Sequence, residues 1–317
     1  MRFCHTLAFL LAAACPTLGS AALAAGITVH DALNHDVTID DPARIVSIGG
    51  AITEILYALG LEDRLAGVDT TSLYPPAALR DKPNVGYMRQ ISAEGVLGLN
   101  PSLVFAIQGW GPKEAIEVLE AAKVPLVMVP ETFSEQGLLD KIWLVGHAMG
   151  AEPRAECLAA AVSNDLAQLR ELRGKVTKPM RVMFVMSLLN GRAMAAGQNT
   201  AANEIIRLSG AINAIDGYEG YKIINDEAIV AAKPDVVLSI QRARDSLDAD
   251  AVYANPAFAL TPAAANKAFI SMDGLYLLGF GPRTAAAARD LSTKLYPVLA
   301  REAGNFVPAV LSADCRQ

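Results

Sequence analysis

Histidine is scarce in this 317-residue chain and poorly placed for catalysis. His5 lies in an apolar leader, His30 and His35 follow soon after it, and His147 sits within a helical pattern. A serine–histidine–acid constellation or a histidine-held metal therefore has no support. Cysteine is equally sparse, at Cys4, Cys15, Cys157 and Cys315, with no C-x-x-C and no Cys/His cluster, which argues against zinc and iron–sulfur sites. The sequence also lacks G-x-S-x-G, a phosphate-binding P-loop and H-E-x-x-H. Glu54, Glu94, Glu204 and Glu227 fall on or just before helices and away from Tyr74, so they form no acid/base pair. There is no basic run, and a formal net charge of -6 excludes nucleic acid as the natural partner.

What is present points to an exported globular protein. Hydrophobic residues make up 52% and charged residues 19%, too apolar for disorder and enough for two domains with a sizeable core. Arg2, the apolar run from Leu7 to Ala14 and the small-residue site Ala22-Leu-Ala24 read as a secretory signal over residues 1–24. That run is too short to span a bilayer, and no later segment is long enough. Cys15 after three alanines offers a lipid anchor as the other processing route. In either case an oxidising compartment is implied. Cys157 and Cys315 are then open to two readings, a disulfide or a buried helix thiol.

Strand and helix patterns alternate from Ile27 to Met149, giving an α/β first lobe over residues 25–150 with a mostly parallel sheet. Residues 151–176 break the alternation. Leu158, Val162, Leu166, Leu169 and Leu172 keep helical spacing without a breaker, which predicts one long helix joining two lobes. The pattern then restarts over residues 177–317. The restart is a repeat: ISAEGVLGLNPSLVFAIQ at 91–108 lies without a gap on INDEAIVAAKPDVVLSIQ at 224–241. Glu54, Ile55 and Gly60 likewise match Glu204, Ile205 and Gly210. Two similar α/β lobes joined by a helix should enclose a cleft walled by the loops after the strands.

Those loops are 70–76, 108–112, 187–192, 241–245 and 274–282. They offer Tyr74, Trp110, Tyr276 and Phe280 as flat apolar surface, and Arg192, Arg242, Arg244 and Arg283 as cations. The mixture suits a large planar ligand carrying carboxylates, although each arginine also reads as an ordinary loop charge. Tyr74 stands before Pro75 and Pro76, which disfavour helical angles and fix the direction of the phenol. From the loop alone, Tyr74 is either a ligand-binding phenol or a surface aromatic.

The stretches Arg44-Ile-Val-Ser-Ile-Gly-Gly-Ala-Ile-Thr-Glu54, Asp69-Thr-Thr-Ser-Leu-Tyr-Pro75, Val85-Gly-Tyr-Met-Arg-Gln-Ile-Ser-Ala-Glu94 and Leu277-Leu-Gly-Phe-Gly-Pro-Arg283 resemble periplasmic hemin-binding proteins of haem ABC importers. The resemblance covers the whole mature chain. It implies that Tyr74 ligates ferric haem iron as phenolate, with a cation from the other lobe beside it. Arg242 is the first candidate and Arg244 the second, and Arg89, Trp110 and Tyr276 complete the expected haem-contacting set. With no histidine beyond His147, five-coordinate iron is expected. The resemblance also implies that Glu94 and Glu227, one from each lobe, dock onto an inner-membrane permease dimer. A helix-end carboxylate stabilised by the helix dipole is the plainer account of both. Relatives that bind vitamin B12 or ferric siderophores are the alternative within the same fold.

Overall fold

The runs Ile45–Ile48, Leu103–Ile107 and Leu126–Val129 are buried along almost their whole length, as strands covered on both faces must be. In a computed structural model, which describes residues 26–241, 246–304, 308–312 and 314–316, they form a parallel sheet. The first lobe begins with an antiparallel hairpin, β1 (Ile27–His30) and β2 (Asp36–Ile39). There follow β3 (Ile45–Ile48), α1 (Gly50–Ala58), β4 (Leu65–Val68), α2 (Ala77–Asp81), α3 (Ala93–Leu97), β5 (Leu103–Ile107), α4 (Lys113–Ala121), β6 (Leu126–Val129) and α5 (Glu135–Ala148). The strand order is β4-β3-β5-β6.

Helix α6 (Glu152–Arg173) leaves this lobe with a proline in its first turn. Its 22 residues span about 33 Å at 1.5 Å per residue.

The second lobe contains β7 (Arg181–Leu189), β8 (Arg192–Ala196), α7 (Ala201–Leu208), β9 (Ile212–Asn213), β10 (Tyr221–Ile223), α8 (Asp226–Ala232) and β11 (Val236–Gln241). Short helices α9 (Ala249–Tyr253), α10 (Pro256–Ala259) and α11 (Pro262–Ala265) precede β12 (Phe269–Asp273). Helices α12 (Gly274–Leu278), α13 (Thr284–Leu295), α14 (Ala300–Ala303) and α15 (Ala309–Ser312) finish the chain.

The repeat read from the sequence is also a repeat of structure. Strands β9, β7, β11 and β12 pair in parallel in the same order as β4, β3, β5 and β6. In each lobe the arginine that opens the first sheet strand secures the helix before the repeated strand. The Arg44 guanidinium donates to the Leu99 and Asn100 carbonyls, and the Arg181 guanidinium to the Ala232 carbonyl. The Ala232 carbonyl ends α8, where no intrahelical partner exists, and the Leu99 and Asn100 carbonyls lie in the turn after α3.

Two loop readings need correction. Residues 187–192 are not a loop but the tip of a β7–β8 hairpin, with Asn190 and Gly191 at φ 51° and 79°. Asn-Gly with both residues at positive φ is the favoured tight hairpin turn, and it keeps β7 extended as far as Leu189. Residues 274–278 are likewise helical, because the Asp273 carboxylate accepts the Tyr276 amide and caps α12.

One apolar cluster spans both lobes, beside smaller ones confined to a single lobe. The spanning cluster runs from Ile45, Ile52 and Phe105, through Leu158, Val162 and Leu166 of α6, to Phe184, Ile205, Leu277 and Leu291. Cys157 of α6 is joined to Cys315 by a disulfide with Cα atoms 5.5 Å apart, so the end of the chain is tied to the first-lobe end of the connecting helix. Among the described residues, no helix is long and apolar enough to cross a membrane.

Candidate functional site

The loop after β4 is built around one carboxylate. Asp69 is fully buried and accepts from the Gly49 amide at 3.0 Å, the Thr71 amide at 3.0 Å, the Thr71 hydroxyl at 2.8 Å and the Ser72 hydroxyl at 3.1 Å. The Gly50 amide donates to Thr71 Oγ1 at 3.0 Å. Buried hydroxyls extend the network, since Ser47 lies 2.8 Å from Thr53 and Thr53 lies 2.7 Å from Ser72. Helix α1 has no side-chain cap of its own, so the loop supplies the acceptors for its first amides. A Cβ on Gly50 would collide with the Thr71 carbonyl and with Leu275 of the second lobe, which requires glycine there. Tyr74 follows this anchored turn, half-buried, with a cis bond to Pro75.

Among the described residues, the cation beside Tyr74 is Arg283. Its guanidinium carbon lies 3.5 Å from the centroid of the Tyr74 ring and 5.2 Å from that of Tyr276. Glu54 holds it from the other side. Arg283 Nε donates to Glu54 Oε1 at 2.9 Å, its terminal nitrogen to Oε2 at 2.8 Å, and its amide to Oε1 at 3.2 Å. The two side chains keep only 15% and 6% of their exposure, so this bidentate pair is largely desolvated. Glu54 was expected to lie away from Tyr74. It is instead one residue removed from it, because α1 starts under the Tyr74 loop and points its second turn at the Arg283 loop.

A second contact fixes the same loop. Lys141 of α5 is fully buried and donates to the Phe280 carbonyl at 3.3 Å and to Glu131 at 3.4 Å. Phe280 adopts φ 48°, a region costly for a large side chain, and its ring meets Phe133 edge-on at 5.2 Å. Burial pushes the Glu131 carboxyl up, against the pull of Lys141 and Arg89. Arg89 is exposed, and its charge also reaches Tyr221 of β10, whose phenol burial pushes up. The Glu131 charge reaches the same phenol, so charges of one lobe act on a tyrosine of the other.

The remaining expected residues fall in varied places. Trp110 is not on open surface: it packs in the first-lobe core beside Val46, Ile91 and Ala115, because the turn after β5 folds its ring back over the sheet. Tyr276 is half-buried, and its hydroxyl donates to Asp290 at 2.8 Å. Burial, reinforced by that bond, pushes its phenol well above the usual range. It is therefore committed as a donor, with its ring towards Arg283. Glu94 and Glu227 occupy the exposed first turns of α3 and α8, capped by Ser92 and Asn225. Arg242 and Arg244 lie outside the described residues. Among the described residues, no group of histidine, cysteine or acidic side chains could hold a metal ion. A separate cavity of about 340 Å³, between the β1–β2 hairpin and β6, shares no residue with the Tyr74 site.

Glu54 and Arg283 are the residues around Tyr74 that the sequence reading undervalued, and a signal for them existed. Glu54 sits on a helix whose neighbours Ile52, Ile55 and Leu56 are core residues, with no basic residue three or four positions away. A carboxylate so placed needs a distant cation.

A family model described as periplasmic binding protein matches residues 45–275. The periplasmic heme-binding protein RhuT from Roseiflexus sp. RS-1, solved in apo form, is 39% identical with a TM-score of 0.76 over 80% of this chain and 98% of that one. The uncharacterized ABC transporter substrate-binding lipoprotein YvrC of Bacillus subtilis is 30% identical over 275 residues, 86% of each chain. A cobalamin-binding protein of Halobacterium salinarum is 27% identical over 238 residues, 71% of this chain and 61% of that protein.

Proposed function

This chain belongs to the periplasmic binding protein family, and on that premise we propose that it captures hemin through Tyr74 and delivers it to an inner-membrane ABC importer. The observation that carries the reading is the Tyr74 phenol, held on a loop welded to α1 by Asp69, with a guanidinium 3.5 Å from its ring centroid. An anionic phenol oxygen suits ferric iron, and tyrosine is an established axial ligand of haem. The likeness to a heme-binding protein at 39% identity supports hemin over other planar ligands.

Within this reading Arg242 and Arg244 of the second lobe and Arg89 of the first receive the ligand's carboxylates. Trp110 supports the cleft wall from behind, and Tyr276 supports Arg283. Glu94 and Glu227 meet the permease dimer as a pseudo-symmetric pair. The protein works outside the cytoplasm, exported by its leader, and performs no catalysis. Because the lobes share a core, capture proceeds with limited hinge motion.

Absorbance titration of the purified protein with hemin, run beside Tyr74→Phe, is the test. The wild type is expected to saturate with a ferric phenolate spectrum. The variant should bind about 100-fold more weakly or worse, since even outer-shell partners of a metal cost 10–100-fold. The cobalamin-binding relative favours a corrinoid as the second reading. Equal hemin binding by both proteins, with saturable cobalamin binding, would decide for it.

A further inference from the structure

We propose that the antiparallel ribbon of β7, β8 and β10 is the second-lobe wall of the cleft, and that Met194, Tyr221 and Ile223 on its open face select a flat apolar macrocycle, a role that rests on the hemin reading above. The ribbon has no counterpart in the first lobe. There β3 passes through Gly49 directly into α1, whereas β7 doubles back as β8 before the matching helix α7 begins, and β10 pairs with β8.

Register decides which side chains share a face. Met194 stands opposite Ile223 and Ser187, and Tyr221 opposite Ala196, so these residues lie on one side of the ribbon. Ala193 and Ala195 lie on the other, buried in the cluster confined to the second lobe. The first side borders the cluster that spans both lobes. Ala196 belongs to that cluster, and so does Phe184, which meets the Tyr221 ring edge-on at 6.2 Å. The Arg89 and Glu131 charges of the first lobe act on the Tyr221 phenol. The open side is thus turned to the lobe that carries Tyr74. On it Ile223 and Tyr221 keep 41% and 37% of their exposure and Met194 is half-buried, three neighbouring side chains with apolar surface left to water.

A porphyrin offers the bare, flat face that such a surface covers. The Met194 thioether adapts to a ring and makes favourable contacts with it, and Ile223 loses apolar area to it. A corrin instead projects amide side chains above and below its ring. Met194 and Ile223 offer an amide no partner, so a corrin held here would bury polar groups unpaired. The ribbon therefore discriminates by ring face, independently of what the iron is bonded to.

Ile223→Asp puts a charge on this face at an exposed position of an edge strand, and Leu260→Asp puts the same charge on an exposed position after α10, outside the ribbon. Both are compared with wild type, Ile223→Ala and Tyr74→Phe. The readouts are thermal unfolding of the ligand-free protein and titration with hemin, metal-free protoporphyrin IX and cyanocobalamin. Ile223→Asp should unfold like Leu260→Asp, yet bind hemin and protoporphyrin IX about tenfold more weakly, on the scale of one apolar side chain's burial. Leu260→Asp should bind both as the wild type does, and Tyr74→Phe should weaken hemin far more than protoporphyrin IX. Ile223→Ala keeps the strand without a charge, should lose affinity in the same pattern, and decides if the aspartate variant fails to fold. Where the wild type takes up hemin alone, the hemin affinities of these variants decide. Wild-type porphyrin affinity in the folded Ile223 variants overturns the proposal and leaves Tyr74 ligation standing. Uptake of cobalamin and of neither porphyrin by the wild type overturns the hemin reading itself, and this proposal with it.

Discussion

Helices α1 and α7 occupy matching places in the two lobes, yet they are finished in opposite ways. Helix α7 is self-sufficient: Thr200 caps it by accepting the Asn203 amide at 3.0 Å, and Glu204 pairs with Arg207 one turn on. Helix α1 has neither local device. Its first amides are received by Asp69 and Thr71 of the Tyr74 loop, and Glu54 finds its cation 229 residues away. Where a repeat unit completes itself locally, its loops are free to vary. Where it borrows caps and counter-charges from distant loops, those loops become as rigid as the core. The second situation is found where the candidate iron ligand sits.

The largest expected effect tests the borrowed charge. Arg283→Ala leaves the Glu54 carboxylate buried without a cation and should lower the stability of the hemin-free protein by about 3–5 kcal/mol. In Glu204→Gln the Arg207 partner is half-exposed and one helical turn away, so the cost should stay below about 1 kcal/mol. Urea unfolding midpoints at unchanged slope read the difference. Equal losses would mean that the two glutamates are energetically alike and that the distant pairing is incidental.

The next effect concerns the borrowed cap. Asp69→Asn removes one of two acceptor oxygens and turns a donor towards the Thr71 and Ser72 groups, at a cost of about 1–3 kcal/mol for the polar groups left unmade. Thr200→Ala removes an ordinary cap and should cost about 1 kcal/mol. Amide hydrogen exchange separates the two by place. Protection should fall at Gly49, Gly50 and Thr71 in the first variant and at Asn203 in the second. Loss confined to Thr71 in Asp69→Asn would show that α1 keeps its start without the loop.

The elements of both lobes were legible because hydrophobic period and Gly/Pro punctuation mark them directly. The long connecting helix, the strand from Leu103 to Ile107 and the gapless repeat are all visible in that way. Tyr74 was singled out from its loop and its prolines, and the structure holds it just after an anchored turn. The β7–β8 hairpin was missed because residues 187–192 were read as the loop after a strand, when Asn190-Gly191 already specified a tight turn. Arg242 was put beside Tyr74 by its place after a strand, and it lies outside the described residues. Arg283 was not singled out for Tyr74, because its loop is drawn onto the first lobe by Glu54 and Lys141, and such tertiary contacts leave no periodic trace. Trp110 was misjudged for a related reason: a loop position fixes neither the direction of a large ring nor its burial.

The smallest effect sharpens the comparison at its most exact point. Asn100 and Lys233 are 133 residues apart in the gapless alignment, and each precedes a proline in the turn that follows a helix. Both are left-handed, at φ 47° and 45°. Their amides donate back to Leu97 and Val230, again matching positions, at 2.9 and 3.3 Å. The following proline disfavours right-handed helical angles, so the turn is forced out of the helix at this residue. Asparagine tolerates the left-handed region through its short polar side chain, whereas lysine carries the full Cβ clash. Lys233→Asn should therefore stabilise the protein by a few tenths to about 1 kcal/mol, and Asn100→Lys should cost the same amount. Opposite and equal shifts in the urea midpoint would establish that the two turns are energetically interchangeable. A loss at Asn100 without a gain at Lys233 would confine the equivalence of the lobes to their regular elements and exclude the turns that join them.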